Sequence, residues 1–370
     1  MMSFAGSRKE GVDDMKNLYT GMKVFHFKEK MDSLPRDVKE ILPPVHIRIK
    51  PTNVCSHNCW YCAYRSDGLQ LGMNMKEADF IPRQKMMEII DDIIDMGVKA
   101  VTFSGGGDPF CYPYLYDAAI RLSKSPVKFA ALTNGSLLKG RMAALFAAKA
   151  EWVRISMDGW DDRSYSRYRK VPVGEFTKIV KNIRAFRRYG GSCYLRVSII
   201  VGRGNASHIY GLIRSLKRTG ANSIKIAPCI VSNDGMGNNL YHKPIFDKVK
   251  AEIRKAVKRL SGPSFEIFDA YHGQLESFKK DYRWCPYLQI LPVIGADQNI
   301  YPCQDKAYNL KEGLVGSIKD RTFKDFWFSD KNKFFKIDPG KVCNHHCVAN
   351  SKNRMIIDYL NADRRHLEFV

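Results

Sequence analysis

The sequence contains no long hydrophobic run and begins without an apolar leader. No apolar stretch approaches the ~20 residues that a membrane-spanning helix needs. The first residues, Met1 to Glu10, lack the hydrophobic segment of a signal peptide. We therefore expect a cytoplasmic protein without a membrane partner. The 10 cysteines of such a chain predict metal or redox chemistry rather than disulfide bonds, because the cytoplasm keeps thiols reduced.

Acidic residues are also scarce, since 38 Asp and Glu stand against 60 Lys and Arg and give a formal net charge of +22 at pH 7. Such an excess suits nucleic acid, a membrane surface or an anionic small substrate. The most basic stretches, 248–259 and 184–188, are typical of solvated helix faces, with apolar residues at helical spacing. Neither shows the series of interleaved aromatic residues that stacks on bases. We therefore expect no nucleic-acid partner.

Three cysteines lie within eight residues in the pattern C-x3-C-x2-C, directly after the strand-like run 46–50. They are Cys55, Cys59 and Cys62. A tight loop of this kind can direct three thiolates onto one iron–sulfur cube and leave one iron without a protein ligand. A zinc knuckle would need a fourth ligand at knuckle spacing, and none follows the loop. The loop therefore predicts a cluster with one open coordination position, as catalytic metal sites have.

From residue 45 onward, strand-like runs alternate with amphipathic helices. This alternation predicts a parallel sheet with right-handed crossovers, and six such units predict an open, partial (β/α)6 barrel of the α/β class. Sites in α/β folds gather at the carboxyl ends of the strands. The predicted strands are 46–50, 100–103, 129–132, 152–157, 194–200 and 223–227.

Polar residues and glycines occur where four of these strands end. The second strand is followed by a glycine-rich turn, where the backbone can approach a ligand closely. The fourth and fifth strands carry polar side chains in alternation, so that each set points to one face. The candidate ligand-binding residues are Ser104, Gly105, Gly106, Gly107, Asp108, Thr133, Asn134, Ser156, Asp158, Arg196 and Ser198.

The cysteine loop, with Tyr61 before its last cysteine, resembles the C-x3-C-x2-aromatic-C loop of radical S-adenosylmethionine (SAM) enzymes. The resemblance extends from about residue 44 to the C-terminus. It implies that SAM chelates the open iron of a [4Fe-4S] cluster and is cleaved to a 5′-deoxyadenosyl radical that abstracts hydrogen from a substrate. It also implies an external one-electron reductant such as flavodoxin or ferredoxin.

The same resemblance implies roles for the strand-end residues. Tyr61 would pack near the adenine, and the turn from Ser104 to Asp108 would hold the SAM amino group. This turn departs from the family pattern, because it has one more glycine and an aspartate in place of glutamate. The ribose would contact Thr133 and Asn134. The remaining residues would face SAM, with Arg196 paired to its carboxylate; they are Ser156, Asp158, Arg196 and Ser198.

Four more cysteines occur near the C-terminus. Cys285 and Cys303 flank a predicted β-hairpin with arms at 289–294 and 299–301, and Cys343 and Cys347 lie at the start of a predicted helix. Together they predict a four-ligand site. A zinc ion is one alternative, held by four thiolates or with His345 or His346 in place of one. The C-x17-C and C-x3-C arrangement resembles the auxiliary-cluster domain called SPASM or twitch, which implies a second, fully ligated [4Fe-4S] cluster that moves electrons.

These features divide the chain into three parts. Residues 1–43 are an N-terminal extension with a helix near 15–27, too short for a separate peptide-recognition domain. Residues 44–262 are the radical SAM partial barrel, and residues 263–370 are the auxiliary-cluster domain. A proton acceptor is expected where a strand ends at the rim of the barrel; the candidate catalytic residues are Asp269, Tyr271 and His272.

Three functions remain open at this point. The first is a SAM-dependent oxidoreductase acting on a small polar molecule such as a sugar, a cyclitol or a nucleotide-linked sugar. The excess of basic residues in the chain would suit a substrate that carries a phosphate group. The second is a peptide-modifying maturase that makes a crosslink, an epimer or an oxidised side chain. The third is an RNA-modifying enzyme, which salt-dependent tRNA binding would reveal, or a protein that uses its clusters only structurally.

Overall fold

Seven parallel strands form the centre of the molecule in the computed structural model, which describes residues 19–276, 278–366 and 368. The strands pair in chain order, each parallel to the next. The predicted α/β class with a parallel sheet is confirmed, and a seventh strand extends the six that were predicted. The strands are β1 His46–Ile49, β2 Ala100–Phe103, β3 Lys128–Thr133, β4 Trp152–Ser156, β5 Tyr194–Val201, β6 Ser223–Pro228 and β7 Glu266–Asp269.

Helices connect the strands and cover one face of the sheet. The second helix of the chain, Arg83–Asp95, shows why: Met86, Ile89, Ile90 and Ile93 recur at helical spacing and are buried. The α-helices are α1 Lys28–Asp32, α2 Arg83–Asp95, α3 Leu115–Ser123, α4 Gly140–Lys149, α5 Asp162–Arg169, α6 Glu175–Arg188, α7 Ile209–Lys217, α8 Gly235–His242, α9 Phe246–Leu260, α10 Ala270–Glu276, α11 Leu310–Gly313, α12 Phe323–Ser329, α13 Pro339–Val342 and α14 Asn350–Asn361.

The two faces of the strands differ in polarity. On β4, Val153 and Ile155 are fully buried against the helices, whereas Arg154 and Ser156 alternate with them and point to the other face. Arg196 and Ser198 pair with Arg154 and Ser156 in register. The concave face of the sheet is therefore polar, and it is strongly basic.

The C-terminal residues extend the same sheet beyond β1. Strand β8, Val293–Ile294, pairs parallel to β1, and β9, Asn299–Tyr301, and β10, Gly316–Ser317, follow in antiparallel pairing. The sheet thus has ten strands in the order β10-β9-β8-β1-β2-β3-β4-β5-β6-β7. The first arm of the predicted hairpin is shorter than expected, because Pro286–Gln289 forms a 3-10 helix.

The domain limits stay a prediction. Strand β7 and strands β8 to β10 all come from the segment 263–370, yet they extend both edges of the barrel sheet. The N-terminal extension packs against this C-terminal segment, since Val24, Met31 and Leu34 share a small core with Ile290 and Ile356.

The helix predicted near 15–27 is described only in part. Residues 15–18 lie outside the described part of the chain, and Gly21–His26 is a 3-10 helix that precedes α1. Within the described residues, no helix is long and apolar enough to cross a membrane.

Candidate active site

A cavity of about 370 Å³ opens on the concave face of the sheet, at the carboxyl ends of its strands. Most of the ligand-binding residues expected from the sequence line it together. These are Cys55, Cys59, Tyr61, Cys62, Ser104, Gly105, Gly106, Gly107, Asp108, Thr133, Asn134, Ser156 and Ser198. Five expected residues lie elsewhere: Asp158, Arg196, Asp269, Tyr271 and His272 do not line it.

The three cysteines of the β1 loop form one wall of the cavity, and their thiols are half-buried. Hydrogen-bond donors surround them. The Asn134 side-chain amide lies 3.8 Å from the Cys55 Sγ, and the Arg169 guanidinium donates to the Cys59 Sγ at 3.5 Å. N–H donors stabilise thiolate ligands and tune a bound cluster. The donor set therefore fits a three-cysteine cluster with one open iron.

The glycine turn after β2 approaches the cysteine loop at backbone distance. A Cβ on Gly107 would lie 2.0 Å from the Val54 carbonyl oxygen, and a Cβ on Gly106 would lie 2.4 Å from the Asn53 Oδ1. Only glycine fits here, because real Cβ atoms do not approach other atoms so closely. The backbone of the turn therefore forms the surface that a ligand would meet.

The carboxylate of Asp108 is occupied by the protein itself. It accepts hydrogen bonds from the Thr133 hydroxyl at 2.9 and 3.0 Å, from the Asn134 backbone N–H at 2.6 Å and from the Phe110 backbone N–H at 2.9 Å. Asp108 thus ties the ends of β2 and β3 together. The predicted contact of this turn with the SAM amino group stays a prediction.

Asp158 is completely buried behind the cavity wall. Its carboxylate accepts a hydrogen bond from the Ile200 backbone N–H at 2.6 Å, and it also contacts the Tyr61 hydroxyl and the Arg169 guanidinium. Asp158 thus fixes two side chains that line the cavity without lining it itself, and its predicted place in the SAM site stays a prediction.

Arg169 is the functional candidate that the sequence reasoning missed on this side. It ends α5, lines the cavity, and is nine-tenths or more buried, while its Nε has no hydrogen-bond partner among the described residues. The only signal in the sequence was a basic residue 11 positions after Asp158 in the last turn of a short helix. The burial that makes it notable depends on the fold.

Arg196 lies below the cavity instead of in it. Its guanidinium packs over the rings of Trp152 at 4.8 Å, and of Tyr19 and Tyr194 at 5.4 Å each. Tyr19 in turn stacks on Phe268. The described end of the N-terminal extension thus covers this arginine, which explains why it does not reach the site where SAM was expected.

The three candidates near the end of β7 form a local cap. The Asp269 carboxylate accepts hydrogen bonds from the backbone N–H groups of Tyr271 and His272 at 3.0 and 3.2 Å, and it lies 2.5 Å from the His272 Nδ1. The Tyr271 hydroxyl lies 3.1 Å from the His242 Nδ1. These groups lie at the junction of β7 and α10 and are not among the residues that line the cavity, so their catalytic role stays a prediction.

A carboxylate does enter the cavity from the C-terminal segment. Asp305 lines it, and the Oδ2 of Asp305 is buried without a hydrogen-bond partner among the described residues. Asp305 comes two residues after Cys303. The sequence reasoning passed over it because nothing in the local pattern showed that the segment after β9 would return to the barrel.

The four C-terminal cysteines converge from three segments. Cys285, Cys303, Cys343 and Cys347 line one small cavity together with Lys280 and Lys306. The Asn353 amide donates to the Cys285 Sγ at 3.2 Å, and the Ala349 backbone N–H lies 3.4 Å from the Cys347 Sγ. Four thiols with nearby cations and N–H donors fit a fully ligated cluster.

Among the residues that the structure describes, no group of three or more His, Cys, Asp or Glu side chains is arranged at metal-binding distances, and this holds for zinc and for a cluster alike. His345 is engaged elsewhere, since its Nδ1 lies 3.0 Å from the Gln70 side-chain amide.

Sequence comparisons identify the barrel segment. The profile of the radical SAM superfamily matches residues 49–216. A probable GTP 3′,8-cyclase of Methanosarcina mazei is 29% identical over 140 residues, which are 38% of this chain and 40% of the relative. The subtilosin biosynthesis protein AlbA of Bacillus subtilis is 23% identical over 201 residues, which are 54% of this chain and 42% of AlbA. The chain thus spans about two fifths of the length of these curated relatives.

Two solved structures share the fold over most of the chain. SuiB of Streptococcus suis, bound to the precursor peptide SuiA, superimposes with a TM-score of 0.59 at 16% identity, covering 88% of this chain and 73% of SuiB. The enzyme anSMEcpe with bound AdoMet gives 0.56 at 17% identity, covering 85% of this chain and 97% of anSMEcpe. Likeness at these identities establishes the fold alone. The matched radical SAM profile includes the three-cysteine loop that follows β1.

Proposed function

We propose that this chain is a radical SAM oxidoreductase that removes two electrons from a small polar substrate. One observation carries the proposal: a single cavity has the three-cysteine loop on one wall and Asp305, next to the auxiliary cysteines, on another. A substrate in this cavity would contact both a source of radical chemistry and an acceptor for the electron and proton that follow.

Residues of the chain would hold SAM on the side of β1 to β4. The SAM amino group would meet the backbone of the turn Gly105 to Gly107. The carboxylate would pair with Arg169, whose free Nε points to an unfilled partner. Thr133 and Asn134 would contact the ribose, with Ser156 and Ser198 beyond them, their hydroxyl oxygens 3.2 Å apart. Tyr61, fixed by Asp158, would pack near the adenine.

The chain itself must handle the proton. When bound, SAM and the two clusters would supply abstraction of one hydrogen atom from the C–H bond of a carbon that carries a hydroxyl group, and removal of one further electron. Oxidation to a carbonyl then also releases one proton. We assign this proton to Asp305, because its Oδ2 has no hydrogen-bond partner among the described residues and it lies next to the auxiliary cysteines. Burial raises the pKa of this carboxyl group against the opposing charge of Arg48, which favours proton acceptance.

The experiment begins with anaerobically reconstituted protein, SAM and dithionite. With a panel of deuterated sugar phosphates and nucleotide sugars, we expect deuterium in 5′-deoxyadenosine and a product three mass units lighter than its deuterated substrate, because one deuterium and one proton are lost. Asp305→Asn should keep deuterium transfer but lower product formation by about 100-fold, whereas the matched surface variant Asp320→Asn should behave as wild type, because Asp320 is exposed. Equal product formation by both variants would remove Asp305 from the mechanism.

A peptide-modifying maturase is the second candidate. The observation that favours it is the similarity to AlbA, named a subtilosin biosynthesis protein. The deuterium-transfer experiment distinguishes the two functions by the class of substrate that donates the deuterium. Transfer from a peptide encoded beside the gene, with none from the small-molecule panel, would replace the first proposal with the second.

A further inference from the structure

Three cationic side chains lie on the floor of the cavity, below the level of the cysteine loop. Arg48 comes from β1, Arg154 from β4 and Lys225 from β6, and all three line the cavity. They come from strands on different sides of the curved sheet and share its polar face. The floor is therefore a patch of positive charge that faces inward.

These three cations lack the partners that other buried cations of the molecule have. Arg154 and Lys225 make no hydrogen bond or ion pair to any residue that the structure describes, and the buried Nε of Arg154 is unpartnered. Arg48 contacts only the Gln304 side-chain oxygen, and its Nε is also unpartnered.

Two neighbouring cations show the contrast. Lys50 donates to the Tyr64 hydroxyl at 2.7 Å and to the Gly105 carbonyl at 3.1 Å, and Arg169 pairs with Asp158. Each of these two cations has a side-chain partner in the protein, although the Nε of Arg169 has none. Among the described Lys and Arg residues that line the cavity, the three on the floor are the ones without an ion pair or a hydroxyl partner.

Carboxylates of the chain do not neutralise the floor. Asp108 is occupied by β3 and Asp158 by Arg169, which leaves Asp305 as the acidic side chain among the described residues that line the cavity with the three cations. Burial and the neighbouring arginines lower the pKa of Arg154 to about 10. Burial, with Arg154, Lys352 and Arg48 nearby, lowers the pKa of Lys225 to about 7 against the opposing effect of Asp305.

Such an arrangement is unfavourable for the free protein. Like charges held together away from water destabilise a fold unless a ligand neutralises them. Proteins keep unfavourable groups of this kind at functional sites, where the binding of a ligand offsets the cost.

We propose that Arg48, Arg154 and Lys225 bind a phosphate group of the substrate on the floor of the cavity. The assignment rests on the proposed function, because it uses the same cavity. A phosphate dianion carries more negative charge and more acceptor oxygens than a carboxylate, and it therefore suits two guanidinium groups and one ammonium group better. The carboxylate of SAM itself would be taken by Arg169, which lies against Cys59 on the opposite side.

The register limits the size of the substrate. Arg154 lies two residues before Ser156 on β4, which corresponds to about 6.6 Å along the strand. A phosphate on the floor and a reacting carbon at the level of Ser156 would thus be separated by only a few bonds. The substrate class is therefore a phosphate ester of a small polyol or sugar, or the sugar-proximal phosphate of a nucleotide sugar.

Anaerobic calorimetry with inorganic pyrophosphate as the probe tests the site in the reconstituted holoprotein. We expect wild type to bind pyrophosphate, and Arg154→Gln and Lys225→Gln each to weaken binding by about tenfold or more, since each removes a charge-assisted hydrogen-bonding partner. Arg218→Gln is the matched control, because Arg218 is exposed on the outer surface. Arg154→Lys should bind better than Arg154→Gln.

Three results would overturn the proposal: no pyrophosphate binding by wild type, equal binding by Arg154→Gln and wild type, or tighter binding of malonate than of pyrophosphate. The melting temperature of the ligand-free variants separates a binding role from a structural role, because the two roles predict opposite changes. Without ligand, Arg154→Gln should melt at or above the wild-type temperature, and a lower value would assign Arg154 to folding. SAM cleavage by the wild-type preparation tests the proposed function separately from anion binding.

Discussion

Asp158 shows how a single buried carboxylate can organise two cofactor-facing side chains. It contacts Tyr61 and Arg169 and is fixed by the Ile200 N–H. Arg169 also reaches the Cys59 Sγ. Through these contacts, one residue outside the cavity connects Tyr61, Arg169 and the cysteine loop.

Replacing Asp158 by Asn should therefore affect both stability and SAM binding. The variant leaves the buried Arg169 charge without its counter-ion, and breaking a buried pair in this way costs about 3 kcal/mol of unfolding free energy. We expect SAM affinity, measured by equilibrium dialysis, to fall by about tenfold or more as Arg169 and Tyr61 lose their fixed positions.

Iron content per chain is the control for this variant. It should stay at the wild-type value, because the three thiols are unchanged. Unaltered SAM affinity in Asp158→Asn would contradict the positioning role, and loss of iron would instead place the effect at Cys59.

At the scale of elements, the glycine turn after β2 sets the distance between β2 and the cysteine loop. Gly107→Ala would place a Cβ 2.0 Å from the Val54 carbonyl oxygen, which is backbone and cannot move aside as a side chain would. We expect this variant to bind less iron during reconstitution. Its free energy of unfolding should fall by about 3 kcal/mol, as for other steric changes in packed sites.

Gly211→Ala is the matched control for that prediction. Gly211 lies in α7 with open space around its Cβ position, so alanine should stabilise the helix by about 0.5–1 kcal/mol. Iron assays and chemical unfolding of the two variants check both statements. Full iron content in Gly107→Ala would show that the loop tolerates a wider separation.

The elements that repeat along the chain could be predicted from the sequence, and their tertiary placement could not. Hydrophobic periodicity located β4 and α6, because each has one buried face. The same reasoning put Asp269 at the rim, although α10 begins there and takes up its carboxylate. It also missed Asp305, because that residue reaches the cavity only through the pairing of β8 with β1. In this pairing Arg48 lies opposite Val293, which is far away in the sequence.

At the scale of the whole molecule, one continuous sheet joins the two cysteine sites. The cysteine loop follows β1, and β8, whose hairpin leads to Cys303, pairs directly with β1. Gln304 and Asp305 then reach the barrel cavity. The two cysteine sites are thus connected through neighbouring strands of the same sheet.

This arrangement predicts two separate clusters that load independently. Reconstituted wild type should bind about eight irons per chain, four for each cluster. The triple variant Cys55→Ala, Cys59→Ala, Cys62→Ala should keep about four, because the four auxiliary thiols remain and lie in their own cavity. The double variant Cys343→Ala, Cys347→Ala should also keep about four, with SAM binding retained. Iron assays with zinc analysis of the same samples decide the matter, and zinc in the triple variant, or no metal beyond the first cluster in wild type, would rule out the auxiliary cluster.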